Sequence, residues 1–142
     1  ALSDKKGLLT MAWDTVWLFL TICIVCVCDG SMEELRGGLT VAAVYMLGVW
    51  LVFGIARYAK LDRFKKAGCI AAVCGLWTAF GQDICNWLLG EGIRLTIRSA
   101  DFSSWNTDLQ INANVYLIVL TGSLVLGGIL FVTGLIKERK RR

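Results

Sequence analysis

Between Gly37 and Ala56 the chain runs 20 residues without a charged side chain. A hydrocarbon core about 30 Å thick needs about 20 apolar helical residues to cross it, so this run restricts the fold more than any other feature. Three further stretches match it. Gly7–Cys28 holds Asp14 as its only charge, Ala67–Gly90 holds only Asp83, and Leu109–Ile136 holds none. In lipid every backbone polar group must find its partner within the protein, which leaves helices or closed barrels. Barrel strands alternate polar and apolar residues. Trp17–Cys28 and Val115–Val132 do not alternate.

The expectation is therefore an all-α, polytopic membrane protein with four transmembrane helices. The spans fall at about 9–28, 38–57, 67–89 and 113–136, in a single domain covering 1–142, with an outer loop at 90–112. Charged residues make up 18% of the chain, against about 25% in soluble domains. A soluble amphipathic helix would carry a charged face, and these segments do not.

Lysine and arginine placement sets the orientation. The connection after the second span carries Arg57, Lys60, Arg63, Lys65 and Lys66, with Asp62 as its one acid. The C-terminus adds Lys137, Arg139, Lys140, Arg141 and Arg142, and Lys5 and Lys6 precede the first span. The opposite side mixes signs. Both termini and the middle connection are thus expected in the cytoplasm, and the membrane is expected to be a bacterial inner (plasma) membrane. Arg57, Lys60, Arg63, Lys65 and Lys66 are candidate contacts for anionic lipid headgroups. The basic patch is short and membrane-bound, so no nucleic-acid partner is expected. Trp13 and Trp17 read as anchors near the inner end of the first span.

Helices in lipid associate through small residues and interhelical hydrogen bonds. Gly68, Ala72, Gly75, Ala79, Gln82 and Asn86 follow steps of three and four along one face of the third span, and form a candidate packing face. Asp83 borders it. Asp83 and Asp14 are the candidate intramembrane polar sites, since an ionisable group inside a span is a functional hypothesis by default. Asp83 lies about 24 Å along its helix from Ala67, close to the outer interface. Asp14 is placed near the inner interface, at a depth similar to that of Arg57. Asp83 has Arg36, Arg94 and Arg98 as candidate partners. Phe102 and Trp105 in the outer loop make a candidate docking surface for another chain.

The six cysteines lie in the first and third spans. Cys23-x-x-Cys26 has a redox-like spacing, but a three-residue step within a helix does not suit a disulfide. Cys28 and Cys85, both toward the outer side, remain a candidate pair. The chain has no His, which removes the commonest metal ligand and general base. No catalytic constellation is visible, so no enzyme, metal or cofactor is expected, only bound lipid.

The functional expectation is a structural or accessory integral membrane subunit of a larger complex, partnered by other membrane chains or by copies of itself. An alternative is a small oligomeric transporter or channel using Asp83, Gln82 and Asn86. A further alternative is a holin-like protein, because the small size, several spans and basic tail are similar to those of that group.

Overall fold

The computed structural model describes residues 2–92 and 94–140. Four long helices carry the fold: α1 (Leu2–Cys28), α2 (Met32–Tyr58), α3 (Arg63–Leu89) and α4 (Asp108–Arg139). A short 3-10 helix, Thr96–Ser99, sits in the connection from α3 to α4. No strand occurs among the described residues. Each of the four helices contains a segment long and apolar enough to cross a membrane.

Local chemistry explains the ends. Asp62 caps α3 by accepting the Phe64 N–H at 3.1 Å. The same helix stops at Gly90, whose φ of +90° suits a residue without a Cβ. Helix α4 begins five residues before position 113. Thr107 caps it, its hydroxyl accepting the Gln110 N–H at 3.3 Å. Thr107-x-x-Gln110 is a capping-box pattern. Within the apolar segments Thr15, Thr21, Thr40, Thr78 and Thr133 each donate to the carbonyl four residues earlier. Such back-bonding satisfies a hydroxyl where no water is present.

Each helix brings its backbone close only to its neighbours in the chain, while the Tyr45 side chain of α2 reaches past Gly81 toward Tyr116 of α4. By backbone approach the four form an open row, α1–α2–α3–α4, in place of a closed bundle, and the start of α1 and the end of α4 lie on the same side of the row. The tightest pair is α3–α4. A Cβ added at Gly68 would lie 2.6 Å from the Gly127 carbonyl oxygen, and one at Gly127 would lie 2.8 Å from that of Gly68. Gly75 meets the Ser123 side chain, and a Cβ at Gly134 would come within 2.7 Å of Lys65 Cγ. Glycine on both helices is what lets the backbones approach this closely.

Between α2 and α3 the indole of Trp77 lies across Gly48, with 2.6 Å from its ring to a Cβ placed there. Its N–H donates to the Val44 carbonyl at 2.9 Å. The α1–α2 contact is lighter. Gly7 abuts Phe53, Ile22 abuts Gly38, and the Trp50 N–H reaches the Thr15 hydroxyl at 3.0 Å. Six residues of α3 are buried, whereas Cys26 alone is buried among the described side chains of α1.

Candidate functional site

The polar residues gather where the outer connection folds back over α3 and α4. Asp83 on α3 is only 4% exposed. Its two carboxylate oxygens accept the Thr96 N–H at 3.2 and 3.1 Å, and Oδ1 also accepts the Thr96 hydroxyl at 2.5 Å. The candidate arginine partners do not take that place: Arg36, Arg94 and Arg98 are all exposed. Asp83 therefore seats the 3-10 helix by hydrogen bonds to one residue, without an ion pair among the described residues.

Asn114, fully buried on α4, anchors the stretch that follows the 3-10 helix. Its Oδ1 accepts the Asp101 N–H at 2.8 Å, and its Nδ2 donates to the carbonyls of Asp101 at 2.8 Å and Ser104 at 3.3 Å. Asp101 in turn closes a turn, its Oδ1 accepting the Ser103 N–H at 3.0 Å and hydroxyl at 2.6 Å. These two bonds hold its carboxyl below the usual aspartate range. No buried side-chain nitrogen or oxygen among the described residues lacks a partner. Asp83, Thr96, Asn114 and Asp101 thus form two satisfied clamps on one loop. An amide-bearing residue at the head of an apolar run was the available signal for Asn114. Nothing in the spacing singles out Thr96.

The small-residue face of α3 meets its own chain. Gly68, Gly75 and Ala79 are buried, and Ala72 lies 3.6 Å from a Cβ placed at Gly127. The amide end of that face does not bond across to another helix. Gln82 Nε2 donates to Asn86 Oδ1 at 3.0 Å, within α3 itself.

Phe102 and Trp105 stand out from the loop, 55% and 45% exposed. Their rings are 6.4 Å apart, and the Trp105 N–H donates to the Phe102 carbonyl at 3.1 Å. On the opposite side of the row, Lys65 pairs with Glu138 and Lys66 donates to the Ala56 carbonyl at 3.1 Å. Lys137 lies 4.7 Å from the Phe64 ring centre. Arg57, Lys60 and Arg63 are exposed.

Asp14 is remote from this polar cluster, exposed on α1, and α1 does not touch α3. The depth expected for it needs correction. Gly7 is level with Phe53, and Ile22 with Gly38, so Asp14 stands level with Met46. That position is ten residues from Arg36 and eleven from Arg57 on α2, or about 15 Å from either at the helical rise. Asp14 therefore lies opposite the middle of the charge-free run, well away from Arg57. Trp13 and Trp17 share this middle depth.

All six cysteines are free thiols. Cys28 and Cys85 belong to helices that make no contact, so the candidate pairing is not formed. No group of three or more His, Cys, Asp or Glu among the described residues could hold a metal ion. No family model matches the chain, and comparisons with curated proteins and with solved structures find no match either.

Proposed function

We propose that this chain is a structural or accessory subunit of a larger membrane assembly. The observation that carries the reading is the open row. In lipid, helices associate where small residues and polar groups interlock, and a row leaves its first helix with a single partner. Here α1 rests on α2 along one side only. Its large side chains Leu9, Trp13, Val16, Trp17, Ile24, Val25 and Val27 are 50% or more exposed. A flank left open in this way suits packing against further helices. The side of the row carrying Lys5, Lys6, Arg57, Lys60, Arg63 and Arg139 faces the cytoplasm in this reading, against anionic lipid. The host is a bacterial plasma membrane.

The bonding of Asp83 to Thr96 and of Gln82 to Asn86 favours the subunit reading over the transporter alternative. Extraction of native membranes in a mild detergent, followed by native electrophoresis, tests the subunit reading. The chain is expected to migrate in a complex several times its own 15.7 kDa. Migration as a lone monomer overturns it.

A further inference from the structure

We infer that the open face of α1 receives a transmembrane helix of a different chain, one that presents an arginine or lysine at the depth of Asp14. This rests on the subunit reading above and names the chemistry of the partner.

Asp14 is exposed and lies about 15 Å from the charged residues that bound α2 on either side. An aspartate at the centre of a span is unfavourable by roughly 2.5–3.5 kcal/mol on insertion scales, and such groups pair with an opposite charge or face a polar cavity. Neither arrangement occurs among the described residues. Asp14 makes no hydrogen bond or ion pair with another described residue.

Its surroundings select for a cation. Trp13 and Trp17 are 63% and 50% exposed, with ring centres 5.9 Å apart at 76°. Their N–H groups are not donors in any hydrogen bond among the described residues. Helical geometry puts Trp17, Thr21 and Asp14 within about 60° of arc on one side of α1. A guanidinium or ammonium seated there would meet a carboxylate and the faces of indoles, and cation–π attraction strengthens when water is excluded. Beside them runs an apolar groove of about 610 Å³, lined by Leu18 and Ile22 of α1 and Val41, Ala42, Tyr45 and Met46 of α2. Leu18 is one turn from Asp14, so a helix lying in the groove reaches the carboxylate.

A second copy of this chain fits less well. Symmetric pairing through α1 sets Asp14 against Asp14, and like charges brought together at an interface disfavour the contact. Lipid alone offers no counter-charge at that depth.

The test uses the full chain in phosphatidylcholine vesicles at low density. The probe is a labelled polyleucine transmembrane helix with one central arginine, and the control helix carries glutamine there. Energy transfer reports association. The arginine helix is expected to bind wild type roughly tenfold or more above Asp14→Asn. Asp14→Lys abolishes capture, and the glutamine helix does not distinguish the three. Because Asp14 is exposed, these variants keep the fold, which circular dichroism checks. Equal capture by wild type and Asp14→Asn overturns the inference. So does capture of neither helix, which leaves lipid as the occupant, or self-association of the chain that outcompetes the arginine helix. The vesicles hold only this chain and the probe. Failure there leaves the subunit reading intact, whereas monomeric migration from native membranes removes that reading without touching Asp14-dependent capture.

Discussion

At the scale of single residues, the clearest division is between two acids that look alike in sequence. Asp83 and Asp14 are each the only charge in an apolar stretch, yet one is spent on Thr96 and the other faces outward. The buried clamps make firm predictions. Asn114→Leu leaves the Asp101 N–H and two loop carbonyls without their partner. It should destabilise the protein by about 1–3 kcal/mol and expose the 90–107 connection to protease, as detergent-unfolding and limited-proteolysis measurements will register. Asp101 gives a pH dependence. Its folded value lies below the usual one because Ser103 bonds the charged form. The turn therefore keeps its full contribution above the unfolded value of about 3.9 and loses it as pH falls through the lower folded value. Amide exchange at Ser103 should rise only in that acidic window, and Asp101→Asn should remove the dependence.

At the scale of elements, helix positions follow from apolar length, and the four spans were legible for that reason. Boundaries were less so. Helix α4 starts at Asp108, ahead of the apolar run from 113, because the Thr107–Gln110 cap extends the helix through polar residues. Spacing on α3 marked Gly68, Gly75 and Ala79 as one face. It could not say which helix that face meets, since a small-residue stripe fits a helix of its own chain and one of another equally well. Glycine substitutions separate contact from propensity. Gly68→Ala drives a Cβ against the backbone oxygen of Gly127, an atom that cannot swing away, and should cost about 1–3 kcal/mol. Gly122→Ala meets nothing within 4 Å and should be neutral or stabilising by up to about 1 kcal/mol, as expected for removing a helix glycine. Unfolding of both variants in a titration from mild to harsh detergent gives the comparison.

At the scale of the whole molecule, the open row was not legible at all. Four hydrophobic spans permit a closed bundle or a row, and the choice depends on which faces interlock. The level of Asp14 depends likewise on its neighbour α2, which the spacing within α1 does not give. The row predicts graded stability. In the isolated chain, α1 holds few buried groups and should exchange its amides first, with the glycine-locked α3–α4 pair last. In native membranes α1 should be protected if another helix covers it, and hydrogen-exchange mass spectrometry on both preparations measures the difference.

Neighbour-only packing also bears on how the protein is made. Every close backbone interface joins consecutive helices, so each hairpin can settle against one already in place as synthesis proceeds. No described helix must return to one outside its own hairpin, which keeps the search for partners to successive helices. Assembly can therefore keep pace with translation, with the tightest interface formed last, once α4 has left the ribosome.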